Sequence, residues 1–272
     1  MNRKGFGWPR VVDVRVMDKQ AALKLLDHPI ISERYFFPRP GRPRRPLLFE
    51  GVDGTRLCCS ESKSEGADLT LVHFHGNGEI VADYDDGYQQ ALAALGVNVM
   101  MLEYRGYGDS GGTSQLGKML QDVACLREQC GLEPARTVVY GRSVGAIFAV
   151  EWASQQPGLG GLILESGVAD PYQRLAIRLS AAELGVTDQE LRKACELCLD
   201  HRRKLSAYSG PLLVLHAERD SLVGAEHARA HMEYYQGERG KLVLFPRGDH
   251  NTVLGANWSE YLQELGQFLS SL

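Results

Sequence analysis

Apolar residues along this chain gather into short unbroken runs, and between the runs apolar and polar positions recur at helical spacing. The runs are Leu69–Phe74, Val97–Tyr104, Thr137–Ser143, Leu159–Glu165, Pro211–His216 and Lys241–Phe245. A strand that is apolar on both faces has to be covered on both faces. Runs of this kind alternating with helices therefore predict an α/β fold: a mostly parallel central sheet with helices on either side. The intervening patterns predict helices through Tyr88–Leu95, at Leu116–Cys130, from the third run's end to about Gln155, at Ala225–Tyr235 and at Asn257–Leu269. Ahead of the first run, Leu47–Glu50, an Asp53–Gly54 turn and Thr55–Cys59 predict a hairpin.

Two segments break this rhythm. The chain up to about Ile31 reads as an amphipathic lead-in with a helix at Ala21–Leu26, and Tyr35–Pro46 carries proline too densely for a helix or a central strand. That stretch is expected to run as an extended strap. Its four arginines offer an anionic head group or membrane surface a partner, but a solvated strap is the default. From about Val168 to Tyr208 only helical pattern occurs, at Tyr172–Leu179 and at Asp188–Leu205 with Thr187 as N-cap. An insert of roughly 40 residues after a strand end reads as a helical lid, with a plain crossover as the alternative. The expected organisation is an N-terminal helix and strap over 1–46 and one domain over 47–272, with the insert at 168–208.

Composition narrows the classes. A chain of 272 residues that is 44% hydrophobic can bury a large single core. Thirty Lys and Arg against 34 Asp and Glu give a net charge of −4, which exerts no general pull on nucleic acid. Met1–Arg10 is basic, but Asp13, Arg15 and Asp18 interrupt the apolar residues that follow, and no run of about 18 apolar residues occurs. Neither a signal peptide nor stable membrane insertion is expected, and the cysteines pair up on predicted helices rather than spacing through loops, so the expected location is cytoplasmic. Cys195 and Cys198 with His201 lack a second ligand pair and read as helix packing. Neither metal nor cofactor is expected.

Candidate chemistry begins where the third run ends. Val138–Val139–Tyr140–Gly141–Arg142–Ser143–Val144–Gly145 passes straight into Ala146–Ile147–Phe148. A strand turning sharply into a helix through Gly-x-Ser-x-Gly holds the serine in a strained backbone state, with its hydroxyl above the sheet edge and unpaired helix amides beside it. Serine needs a base, and the base needs an acid to orient it. Asp220 follows the fifth run and His250 follows the sixth in a Gly-rich loop, so both fall at the carboxyl edge that carries Ser143. Glu165 and Asp170 are alternative acids, and Glu218 and Asp249 are carboxylates adjacent to the pair. The loop His75–Gly76–Asn77–Gly78–Glu79 brings the Asn77 amide to act with that of Val144 on a developing oxyanion. His75 is expected to brace this loop. Glu79 is expected to serve the next helix's dipole, turned away or paired with Arg142 or Arg105. Tyr104–Gly112 contains Gly-x-Gly without the lysine or helix start of a nucleotide loop.

These residues together resemble the α/β-hydrolase superfamily from about Leu47 to the C-terminus. His-Gly-Asn at 75–77 looks like its oxyanion loop, Tyr-Arg-Gly-Tyr-Gly-x-Ser at 104–110 like the loop after its next strand, and Gly-Arg-Ser-Val-Gly at 141–145 like its nucleophile elbow. The chain is similar to the ABHD13/ABHD17 and Bem46-type serine hydrolases, which share a Phe-x-Pro strap. Here Glu103 stands for their Asp, Gly78 stands where alanine is common, and the Cys-rich N-terminus of the ABHD17 proteins is missing. The resemblance implies the α/β-hydrolase fold and hydrolysis of a carboxylic ester or thioester through an acyl-enzyme, with a small-molecule or lipid-like acyl substrate. A serine peptidase, an acyltransferase and a non-catalytic binding protein on the same fold are the rivals.

Overall fold

The computed structural model describes residues 17–272. The basic start at Met1–Arg10, and with it the reading of a missing signal peptide, lies outside the described residues. An eight-stranded sheet forms the centre, with β1 (Pro46–Glu50), β2 (Arg56–Ser62), β3 (Thr70–Phe74), β4 (Asn98–Leu102), β5 (Thr137–Arg142), β6 (Gly161–Glu165), β7 (Leu212–Ala217) and β8 (Gly240–Phe245) in the order β1-β2-β4-β3-β5-β6-β7-β8. The hairpin β1–β2 joins the edge of β4 antiparallel, and β4 through β8 are parallel.

Strand side chains alternate between two cores, as a period of two requires. Val72, Phe74, Val139, Leu162, Leu164 and Val214 face one cluster. Leu71, Val138, Tyr140, Ile163, Leu213 and Leu215 face the other. The first core is closed by α1 (Lys19–Leu26), α2 (Pro29–Tyr35), α4 (Leu116–Cys130) and α5 (Gly145–Gln155), by the insert's α6 (Pro171–Ala176), α7 (Asp188–Leu199) and α8 (His201–Ser206), and by α9 (Ala225–Tyr234). The second is closed by α3 (Tyr88–Ala93), α10 (Val253–Ala256) and α11 (Trp258–Ser270). Among the described residues no helix is long and apolar enough to cross a membrane.

Two local rules account for where the helical pattern was misread. A second N-terminal helix, α2, starts on Pro29, whose fixed φ and missing N–H suit a first helical position, and His28 Nδ1 caps it by accepting from Ile30 N at 3.2 Å. The stretch expected as one helix over Asp188–Leu205 is two. Asp200 leaves helical geometry and its carboxylate accepts from Arg203 N at 3.0 Å, which starts α8. Thr187 caps α7 together with Glu190.

Within the insert, α7 packs on α1 and α6, and α8 packs on α5 and α9. The strap after α2 is extended, bridges to the loop after β4 at Pro40 and Gly108, and has three of its four arginines committed to acidic side chains. Arg39 pairs with Asp83, Arg42 with Asp109 at 3.4 Å and Arg44 with Asp86 at 2.7 Å.

Candidate active site

Register brings the carboxyl ends of β3, β5, β6, β7 and β8 to one rim, with Gly141 opposite Phe74, Arg142 opposite Glu165, and Ala217 opposite Phe245. At that rim β5 turns into α5 through Ser143, which sits at φ 54°. A non-glycine residue in this region is uncommon, and the surroundings must hold it there. Ser143 N donates to Glu165 O at 2.8 Å, and the carbonyl of Ser143 accepts from Ala146 N at 3.2 Å. The flanking glycines permit the turn. A Cβ on Gly145 would lie 2.2 Å from the Phe74 carbonyl oxygen, and one on Gly141 would lie 2.6 Å from the Gly145 carbonyl oxygen.

His250 Nε2 lies 2.9 Å from Ser143 Oγ, and His250 Nδ1 lies 2.8 Å from Asp220 Oδ2. A carboxylate only accepts, so Nδ1 carries the proton and donates to Asp220. Nε2 is then left as acceptor for the serine hydroxyl. The second oxygen, Asp220 Oδ1, accepts from Leu222 N at 2.9 Å and Val223 N at 2.8 Å. His216 Nε2 donates to Val223 O at 2.7 Å and lies 3.4 Å from Asp220 Oδ2. Burial pushes the Asp220 pKa up, but the hydrogen bonds of His216, His250 and Val223 N outweigh it and hold the carboxyl well below its ordinary range. Ser143, His250 and Asp220 are all buried.

The alternative acids are engaged elsewhere. Buried Glu165 is bonded by Tyr140 and lies 3.5 Å from Arg142, and Asp170 caps α6 by accepting from Gln173 N. Glu218 is exposed. Asp249 braces the two loops by accepting from Ser221 N and Oγ, both at 2.7 Å. Glu79 is paired with Arg142, not Arg105, and also accepts from Gly76 N at 2.6 Å, which ties down the loop beneath Asn77. Arg142 in turn donates to His250 O at 3.0 Å. Arg105 is buried against Asp122 at 2.7 Å, so the Gly-x-Gly loop is a structural brace. His75 is fully buried, bonded to Glu103 at 2.6 Å and to Gly76 O at 2.8 Å. Burial opposes its charged form, but the Glu103 carboxylate prevails and raises its pKa.

Asn77 and Val144 flank Ser143 in one cavity. Among the described residues, neither backbone N–H has a hydrogen-bond partner. Unpaired backbone donors in a buried setting are rare and costly, which suits a pair kept for an incoming anion. The side chain of Asn77 faces the other way: its Nδ2 donates to Tyr35 O, and its Oδ1 accepts from Phe37 N at 3.0 Å and Tyr107 Oη at 2.8 Å. The cavity measures about 210 Å³ and is walled further by Tyr35, Phe37, Val168, Arg174, Leu222 and Val223. None of these wall residues was singled out as a site residue from sequence. They come from the end of α2 (Tyr35, expected to begin the strap but helical) and the strap after it, the insert and the loop after β7, and no spacing in the chain announces that these converge.

The remaining histidines are structural. His73 is buried and stacks on Tyr140 with ring centroids 4.5 Å apart, and His201 Nδ1 faces His231 Nε2 at 3.4 Å. Among the described residues no group of three or more His, Cys, Asp or Glu is arranged to hold a metal. Burial, with help from His227 and His216, lowers the His231 pKa from 6.5 to about 3. The unfolded chain therefore binds a proton that the native state refuses between those values, and stability falls as pH falls through that window. This one side chain should remove about 2 kcal/mol between about pH 7 and 5. Urea unfolding at both pH values should show the loss, and His231→Asn should flatten it by that amount.

Known proteins share sequence and fold with this chain. Residues 66–190 match the family model described as serine aminopeptidase, S33. The protein YfhR of Escherichia coli O157:H7 is 28% identical over 236 residues, covering 82% of this chain and 79% of the relative. Human alpha/beta hydrolase domain-containing protein 17B is 24% identical over 222 residues, covering 80% and 72%. An esterase of Pyrococcus furiosus superposes with a TM-score of 0.67 at 19% identity, covering 86% of this chain and 98% of the esterase. The sheet order, the turn at Ser143 and these relatives point one way: the chain has the α/β-hydrolase fold and is similar to ABHD17-type proteins of that fold.

Proposed function

We propose that the protein is a serine hydrolase acting on a carboxylic ester or thioester. Ser143 Oγ attacks the carbonyl carbon as His250 Nε2 takes its proton, and Asp220 stabilises the imidazolium. The amides of Asn77 and Val144 donate to the oxyanion of the tetrahedral intermediate. Collapse expels the alcohol or thiol, which leaves with the proton from His250. Water, deprotonated by the same nitrogen, then opens the acyl-enzyme. The single observation that supports this reading is the hydrogen-bonded line from Ser143 Oγ through His250 to Asp220, ending beside two unpaired amides.

The cavity favours a compact substrate, since about 210 Å³ is below the roughly 300–1,000 Å³ typical of drug-sized ligands. The end of α6 serves as the cover over Ser143, and the rest of the 168–208 insert is support for it. An aminopeptidase would use the same three groups but needs a carboxylate for the substrate's ammonium, and among the described residues lining the cavity there is none. A fluorophosphonate probe should label the wild-type protein at Ser143 and leave Ser143→Ala unlabelled. Labelling that persists in the variant would refute the assignment.

A further inference from the structure

Most arginines near this rim are neutralised: Arg142 by Glu79, Arg105 by Asp122, and the strap arginines 39, 42 and 44 by aspartates. Arg174 on α6 and Arg178 one turn beyond it are different. Both line the Ser143 cavity, and among the described residues neither has a carboxylate within ion-pair distance. Arg174 is half-buried in the wall, and the Arg178 guanidinium lies 5.6 Å from the centre of the Phe37 ring at the mouth. Beside them stands Tyr35, which is only 7% exposed and whose hydroxyl has no hydrogen-bond partner among the described residues. Burial raises that phenol to about 12, with both arginines pulling it back. Val144, Val168, Leu222 and Val223 supply an apolar part of the wall, and Arg142 and Asn251 also line it, Arg142 being paired with Glu79.

Two like charges held over one small cavity, with an unused phenol donor next to them, disfavour the empty site and favour an anion within it. Resting on the serine-hydrolase reading above, we propose that Arg174, Arg178 and Tyr35 form an anion subsite, and that the substrate is a short acyl ester or thioester bearing a carboxylate or phosphate near the scissile carbonyl. The ester would lie against the valines with its carbonyl oxygen on the Asn77 and Val144 amides. The anion would then take the guanidinium donors and the Tyr35 hydroxyl. No carboxylate among the described lining residues competes for them.

Matched pairs test the charge alone: monomethyl adipate against methyl hexanoate for carboxylate, and butyryl phosphoglycerol against butyryl glycerol for phosphate. Wild-type kcat/KM should favour at least one charged member by roughly tenfold or more, and the favoured pair identifies the anion. Arg174→Gln with Arg178→Gln should lower that ratio by roughly tenfold, the double lysine variant should keep most of it, and the double glutamate variant should prefer butyrylcholine to a neutral isostere. A purely structural role would lower both members of a pair together. A wild-type ratio near one, or a ratio untouched by removing the charges, overturns the subsite. An unchanged ratio with lost sedimentation on phosphatidylserine vesicles would reassign the arginines to a lipid surface. If wild type hydrolyses none of the four esters, the hydrolase reading has failed separately. The subsite is then read by calorimetry of monomethyl adipate and phosphoglycerol on Ser143→Ala, where binding to neither overturns it and binding lost on replacing both arginines by glutamine supports it.

Discussion

Replacing either Ser143 or His250 by alanine should lower kcat on a short neutral ester by about 10⁶, and replacing both should cost no more than replacing one. The reason is the 2.9 Å contact between Nε2 and Oγ. Without the imidazole, the hydroxyl keeps its proton and is a weak nucleophile. Without the hydroxyl, the imidazole has nothing to activate except water in the wrong place. The two groups thus act as a unit, and the steady-state kinetics of two single variants and one double variant measure it. A double variant that loses the product of the two single effects would mean that the groups work independently. The amides of Asn77 and Val144 survive in all three proteins, so a residual rate above that in buffer is expected.

Asp220→Asn should lower kcat by about 10⁴ with the fold intact. The bonds around the carboxylate say why. Oδ1 accepts from two backbone N–H groups, of Leu222 and Val223. An asparagine in the same rotamer must put its carbonyl oxygen there, because an NH2 would face two donors. Its NH2 then occupies the place of Oδ2, 2.8 Å from His250 Nδ1. Nδ1 is forced to accept, the ring proton moves to Nε2, and Nε2 now donates towards Ser143 instead of accepting from it. The variant would be a histidine in the right place with its proton on the wrong nitrogen. Circular dichroism and the thermal transition verify the fold, and kcat against pH measures the loss. Turnover close to wild type would remove Asp220 from the acid role.

The strands and the order of the sheet's chemistry were legible because each is encoded locally. Leu116–Cys130 reads as one helix and is one, the runs ending at Phe74 and Glu165 stop where the strands stop, and the run expected to reach Ser143 stops one residue short, at Arg142. The strand–turn–helix context of Gly141–Gly145 is written in consecutive residues, so the bend at Ser143 could be expected before any coordinates. The spacing of Asp220 and His250 after their strands predicted a shared rim, and the structure brings both within hydrogen-bonding reach of one imidazole line. Partners chosen across the fold were not legible. Glu79 had two arginines available and took Arg142, because β5 ends beside the oxyanion loop while Arg105 is drawn beneath the sheet edge to Asp122. The break at Asp200 was hidden by an apolar pattern that continues across it, through Cys195, Cys198 and Leu205. Tyr35, Arg174 and Arg178 reach the cavity from elements more than a hundred residues from one another in part, and no local signal marks such convergence.

Asn77 is gripped from the segment ahead of the sheet, by Tyr35 and Phe37, and its neighbour Gly78 accepts from Arg39 Nε at 2.6 Å. Among the described residues, Ser143, His250 and Asp220 take none of their hydrogen bonds from that leading segment. A fragment starting at β1 would therefore keep the residues of the Ser143–His250–Asp220 line, yet lose the clamp on one of the two amides proposed to hold the oxyanion. On the proposed mechanism, the front of the polypeptide would act as a tuning screw for a reaction whose proton carrier, His250, comes from the last strand's loop.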